Sequence, residues 1–334
     1  MTELALDFYG VPVSLAGGPP EVLEDLRRDF EYFFVPGPGD DPIRFTLEQR
    51  LPQRAAQGRP LFRTKDYAVF DRGARRRILY ADEACAEYDF AAKCGSIRCP
   101  DPERLRELAY LAVLSRVGEE LDRRGWHRIH ALGFTRGEQG GLLLLPSGAG
   151  KSVFALELLR ATGLGLASDD TPLLTDDLRL AAFPLRLGFS PATDLSAVPE
   201  RWLRSMRRLR YGTKRLVDLG FFRERVRGGL PVAWLLIGER PADAAPRLEP
   251  ISRLRAARAL AVHLVVGAGI AQMSEYMLRA DLAGARALAG IAISRALTAW
   301  RLLRKVQPLR FVLGCDPKAN VAALAAFLAA PEGP

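Results

Sequence analysis

Histidine and cysteine are both scarce in this chain of 334 residues, at three and four copies. Cys85, Cys94 and Cys99 lie close together, with Cys315 far away, yet no C-x-x-C pair occurs and no histidine stands at ligand spacing beside them. The usual patterns of a structural zinc site are therefore missing, and reduced thiols are expected. A basic leader is missing as well. The opening stretch MTELALDFYGVPVSLAGG carries acids and no Lys or Arg, which is not a signal-peptide pattern. The longest apolar run, ALAVHLVVGAGIA (259–271), is too short to span a bilayer and contains His263. Internal repeats are absent too. These absences predict a cytoplasmic protein with no membrane span.

What is present is a large apolar fraction, 49% against 26% charged, so a sizeable core can form. The length suits two domains. The net charge of +9 favours acidic partners such as nucleotides and phosphates. Much of it falls between Arg201 and Arg227, where ten basic residues face two acids. No helix-turn-helix, RNA-recognition aromatic motif or zinc pattern accompanies that run, so nucleic acid is not the expected partner. A solvated basic face, with Arg stems lying over apolar surface, is the simpler reading.

The pattern of elements predicts an α/β protein. Residues 1–100 read as a smaller N-terminal α+β domain: a strand over 3–15, a helix over 19–34, a strand over 42–49, and short β runs to 98 around a DRGAR turn. Residues 101–125 read as a connecting helix capped by Asp101 and ended by Gly125. Residues 126–334 read as a nucleotide-binding domain. It holds strands over 127–134, 141–145, 164–168, 231–240 and 309–314, and helices over 252–265, 281–305 and 320–330. The first third offers no catalytic constellation.

One stretch carries chemistry: GLLLLPSGAGKSVFALELL (141–159). A buried apolar strand runs into a small-residue turn and then a helix, the setting in which a Walker-type phosphate loop has meaning. Ser147, Gly148, Ala149, Gly150, Lys151, Ser152 and Val153 form the candidate phosphate cradle. Gly148 and Gly150 let backbone amides converge on an anion at a helix N-terminus. Lys151 can reach the β- and γ-phosphates, and Ser152 can ligate Mg2+. The first glycine of the usual G-x-x-x-x-G-K-[ST] pattern is replaced by Leu145. The next buried strand ends in Asp169–Asp170, at the edge where α/β sheets bind ligands. Two carboxylates there can divide the work, one on Mg2+ and one accepting a proton. His130 stands in the strand before the loop strand, and nearby His127 is the alternative.

This order, HALGF followed by LLLLPSGAGKSVFALELL and then LASDD, resembles the catalytic core of the HPr kinase/phosphorylase family over residues 126–190. The resemblance implies a P-loop core related to phosphoenolpyruvate carboxykinase, with ATP and Mg2+ as cofactors. It implies that Asp169 is the catalytic base and that Asp170, with Ser152, attends Mg2+. His130 would manage protons with the Asp pair, and Lys151 would contact phosphate. The chain departs from the family at Leu145, at Val153, where an acid usually stands, and at FPLRLGFSP (183–191), where a glycine-rich signature is missing. It is more similar to HPr kinase-related proteins of peptide-modification (including lasso-peptide) and polysaccharide gene clusters. Those share a short Pro-Arg segment after the Asp pair, which makes Arg186 a candidate substrate or phosphate contact. The expected activity is ATP-dependent phosphoryl transfer to a hydroxyl, a Ser of a peptide or protein first. A nucleotide-binding regulatory or scaffold protein and a small-molecule kinase are the alternatives. Oligomeric state is left open.

Overall fold

Tyr9 and Gly10 both take positive φ, 57° and 80°, and fold the first apolar run back on itself. The run expected as one strand is thus a hairpin, β1 (Glu3–Asp7) and β2 (Pro12–Gly17). The computed structural model describes every residue except 1, 54–57, 147, 209–211, 242–243, 272, 278, 280 and 331–334. Helix α1 (Pro20–Asp29) starts on proline and buries Val22, Leu23 and Leu26. It stops earlier than its periodicity predicts, and a single 3-10 turn follows at Glu31–Phe33. Strand β3 (Ile43–Glu48) alternates buried and exposed, as its sequence does. Strands β4 (Phe62–Arg63), β5 (Tyr67–Arg72), β6 (Arg75–Tyr80), β7 (Cys85–Asp89) and β8 (Cys94–Arg98) complete an eight-stranded sheet. Its order is β1-β2-β3-β8-β7-β6-β5-β4.

Helix α2 (Pro102–Arg123) follows. The Asp101 carboxylate accepts from the Glu103 amide at its start, and Gly125 (φ 77°) ends it. Beyond it lie β9 (Trp126–Arg128), β10 (Leu132–Arg136), β11 (Gln139–Leu144), α3 (Lys151–Arg160), β12 (Leu164–Ser168), β13 (Leu173–Thr175) and β14 (Arg179–Ala181). A three-stranded sheet of β15 (Leu187–Phe189), β16 (Leu203–Arg208) and β17 (Gly212–Val217) comes next. The long β18 (Leu230–Glu239), β19 (Arg247–Pro250), α4 (Arg253–Leu260), α5 (Ser274–Met277), α6 (Leu282–Lys305), β20 (Pro308–Val312) and α7 (Pro317–Ala329) complete the described elements. The second large sheet has nine strands. It runs β12-β10-β11-β18-β14-β13-β9, with β20 also on β18 and β19 on β20.

Three sequence readings change here. The strand expected over 127–134 is broken: β9 pairs with β13, β10 pairs with β11 and β12, and His130 lies in the gap. The helix expected over 252–265 ends at Leu260 and continues as a π-helical turn, Ala261–Val266, that carries His263. The basic segment is a β hairpin with two short turns, and several of its charges face acids of the first 125 residues. Arg204 pairs with Asp25, Asp29 and Asp218, Arg207 with Asp101 and Glu103, and Arg223 with Glu31.

Helix α2 is more than a connector. It packs against α1, β3, β16, α5 and α6, and much of its length is buried. Its buried charges are matched, as desolvated ions must be. Arg106 holds Asp29, Arg116 holds Glu119, and Asp122 holds both His127 and Arg295. One apolar core spans the first sheet, α2, and Leu173, Phe183, Leu185, Met273 and Tyr276 from later in the chain. Helix α6 is, by length and composition, the one described helix apolar enough to cross a membrane. It packs on α2 and α4, and its Arg295 is buried against Asp122.

Candidate active site

The topology of the second sheet explains how residues far apart in sequence meet. Strand β10 runs antiparallel to both of its neighbours, β11 and β12. The end of β11, the end of β12 and the beginning of β10 therefore lie at one edge. Three segments leave the sheet there: the loop after Leu144, Asp169–Asp170 after Ser168, and His130 just before Leu132. This is the edge at which open α/β sheets bind ligands.

The loop turns on glycine. Gly148 (φ 79°) and Gly150 (φ 90°) adopt left-handed backbone, and Gly150 caps α3. The amides of the first turn of α3 point outward at the positive end of that helix. Ala149 and Val153 pack against the apolar core beneath, so the acid expected by resemblance at 153 is replaced by a packing residue. Ser147 lies outside the described residues.

Leu145 is buried in that same core. The register aligns Leu144 with Ile237 of parallel β18, which places Leu145 beside Gly238. A Cβ on Gly238 would overlap the Leu145 side chain. The glycine missing from the loop is thus matched by a glycine on the neighbouring strand. Gly238→Ala should destabilise the protein by about 1–3 kcal/mol through overpacking. The loss should shrink when Leu145 is also alanine, so that the pair is non-additive. Urea unfolding of the two single variants and the double variant checks this, and simple additivity would refute the pairing.

Lys151 is buried at the centre of the site. Its ammonium lies 2.7 Å from His130 Nε2, 3.3 Å from Asp170 Oδ1 and 3.2 Å from the Leu145 carbonyl. The same His130 Nε2 lies 3.3 Å from Asp170 Oδ1, so this nitrogen stands between an ammonium and a carboxylate. His130 Nδ1 faces His263 Nδ1 at 3.1 Å, and one of the two nitrogens donates to the other. His263 is suited to accept. Burial, reinforced by facing His130 and Lys151, pulls its pKa down to about 4. Gly269 (φ 92°) lies so close to the His130 ring that no Cβ would fit.

The two carboxylates are differentiated by their surroundings. Burial, followed by the charge of Asp170, pushes the Asp169 carboxyl up to about 7, although Ser152 Oγ donates to its Oδ2 at 2.9 Å. Burial also raises Asp170, but His130 and the Lys151 ammonium outweigh it and hold this carboxyl below its ordinary value. One acid is poised to gain or lose a proton near neutrality, and its neighbour stays charged. Ser152 rests on Asp169 rather than on Asp170.

The other predicted residues are placed as follows. His127 is fully buried elsewhere, between Asp122 and Ser294, and is not part of the site. Arg186 lines the same cavity as Lys151 and Asp169, but its guanidinium lies over the Tyr110 ring and beside Asp29 at 3.2 Å. Sequence reasoning missed His263 and the far wall of the cavity. That cavity, about 920 Å³, runs from the glycine loop to Tyr80, Asp82, Arg104 and Glu107 of the first 125 residues. The only local signal for the His263 side was the Gly-x-Gly at 267–269 after an apolar run. All four cysteines are free, and no cluster of three or more metal-ligating His, Cys, Asp or Glu occurs among the described residues. The chain matches no family model and no curated protein.

Proposed function

We propose that the protein is an ATP-dependent kinase of the HPr-kinase type, acting on a hydroxyl, most simply a Ser of a peptide or protein. The observation that carries this reading is the convergence of Lys151, His130, Ser152, Asp169 and Asp170, from separate elements, at the sheet edge where a glycine loop starts a helix. A structural role alone does not call for a lysine, a histidine and two acids beside an open glycine turn.

The donor set fits Mg2+, which takes oxygen ligands and is held by one or two carboxylates together with phosphates. Ser152 and Asp170 would hold it, and it would neutralise charge on the transferring phosphoryl group. Asp170 suits a cation because it stays ionised. The loop amides and Lys151 bind the polyphosphate and counter charge as it develops. Asp169 accepts the proton of the acceptor hydroxyl as its oxygen attacks the γ-phosphorus and ADP leaves. His130, backed by His263, fixes Lys151 and Asp170 in place. ATP use accords with a cytoplasmic location.

Incubation with γ-labelled MgATP and a set of seryl peptides, read by mass spectrometry, tests the assignment. Phosphoserine in a peptide is the expected result. Tight nucleotide binding with no transfer to any acceptor would favour a regulatory nucleotide-binding protein. Label on a metabolite alone would mark a small-molecule kinase.

A further inference from the structure

Helices α4 and α6 lie side by side in one layer over the second sheet. Their inner faces, with Ala256, Leu260, Ala299 and Leu302, share a core with strand residues such as Leu142 and Leu235. Their outer faces point away from the sheet and are apolar where water is expected. Leu254, Val262 and Val266, on α4 and the π-helical turn that extends it, and Ile293, Leu297 and Trp300, on α6, are 47–69% exposed. Seven of the twelve large apolar side chains exposed among the described residues fall between Leu254 and Trp300. Scattered singly, such residues need no explanation, but a cluster marks an interaction surface.

The charge of the layer is one-sided. From Arg253 to Lys305 stand nine basic residues and two acids. Neither acid offsets the outer face: Glu275 is buried, and Asp281 holds Arg279 and caps α6. Arg253, Arg258, Arg286, Arg301 and Arg304 are exposed and pair with no acid among the described residues. Arg286, Ile293 and Trp300 share one face of α6, and Arg304 lies over the Trp300 ring at 4.8 Å. Cations and apolar stripe are thus parts of one surface. A second copy of the chain would set these arginines against one another with no acid to meet them. Nor does α6 cross a bilayer in this fold, because its inner face buries Arg295 against Asp122. An apolar stripe with Trp, flanked by arginines and lying flat on the molecule, suits the headgroup boundary of an anionic bilayer.

We infer that the outer face of α4 and α6 is a membrane-docking surface, which seats the protein on anionic phospholipid with α6 parallel to the bilayer plane. Ile293, Leu297 and Trp300 enter the acyl boundary, and the arginines meet lipid phosphate. The π-helical turn that offers Val262 and Val266 to the lipid also carries His263 to His130, so the docked face backs onto the Lys151 site. The inference is independent of the kinase reading.

The test uses the full chain and vesicles of phosphatidylcholine, with and without roughly 30% phosphatidylglycerol. Binding is read by vesicle sedimentation, and the surroundings of Trp300 by tryptophan emission. The anionic vesicles should be bound at least about tenfold more tightly than the neutral ones, with the difference shrinking in high salt. Emission should shift to the blue on binding, and Trp300→Phe should keep the binding and lose the shift. Ile293→Ser/Trp300→Ser, at two exposed positions, should weaken binding by about tenfold or more. Arg286→Gln/Arg304→Gln should remove most of the preference for anionic lipid. Circular dichroism separates these losses from misfolding, and Leu297→Ser, with a smaller loss expected, serves if a double variant does not fold. Equal binding to both vesicles, binding to neither, or binding unchanged in the variants overturns the proposal. Self-association that Ile293→Ser/Trp300→Ser dissolves, in a chain that ignores vesicles, would overturn it in favour of a second copy on this face.

Discussion

Lys151→Ala should lower the rate of phosphoryl transfer by about a thousandfold, the scale on which one preorganised charge-stabilising donor is lost. The geometry accounts for an effect of this size. The Lys151 ammonium touches the loop carbonyls, His130 and Asp170 together. Its removal takes away the buried cation beside the glycine turn and leaves there the Arg240 guanidinium that lies against Gly150. It also leaves Asp170 without the charge that helps keep it ionised and His130 without its partner at 2.7 Å. Nucleotide affinity should fall as well, because the same ammonium serves bound phosphate. Single-turnover transfer from γ-labelled ATP measures the first effect, and equilibrium binding of a fluorescent ATP analogue measures the second. Far-ultraviolet circular dichroism separates both from misfolding. A Lys151→Ala enzyme with undiminished transfer would remove the phosphate-loop assignment, and the kinase with it.

The part of this site that could be read from sequence is the part made by short-range order. A strand, a glycine turn and a helix stand next to one another in residues 141–159, and the following buried strand delivers Asp169–Asp170 within a few residues. Such segments carry their geometry with them, since 3.6-residue and two-residue periodicities and glycine turns are local properties. His130 was identified, but its strand was misplaced, because the segment HRIHALGF carries no glycine or proline turn signal at the break between its two pairings. His263 was out of reach: it comes from 133 residues away and is carried there by a π-helical turn. The role of α2 was underestimated for a related reason. Its charges look solvent-facing in sequence, yet Arg106, Arg116 and Asp122 are buried against partners supplied by distant segments. The basic run over 201–227 was read as a solvated face. Several of its arginines instead meet the chain's own acids: Asp25 on α1, Glu31 just after it, and Asp101 and Glu103 at the start of α2. Leu145 reads as a defect in the motif only until Gly238 is seen beside it.

Asp169→Asn should keep nucleotide binding and lower transfer by about a hundred- to ten-thousandfold, the range for a positioned general base. The pH dependence gives this prediction its sharper form. The Asp169 carboxyl is raised to about 7 by burial and then by the adjacent Asp170 charge. A base works only when deprotonated, so kcat/KM, which reports the free enzyme, should climb with pH through about 7 and level off above it. At one unit below that value only roughly a tenth of the enzyme carries the active carboxylate. In Asp169→Asn the residual rate should lose this limb. Stability should move the other way. The folded-state pKa lies above the unfolded one, so folding favours the protonated acid. That contribution is fully present below the unfolded carboxyl's pKa and is lost as pH rises through about 7. At pH 8 the wild-type protein keeps a buried carboxylate beside another, and asparagine does not. Asp169→Asn should therefore melt at a higher temperature than wild type at pH 8, with the difference narrowing at pH 5. A wild-type profile flat between pH 6 and 8, or a variant that melts lower at pH 8, would show that Asp169 is an ordinary structural acid and that the base must be sought elsewhere in the cavity.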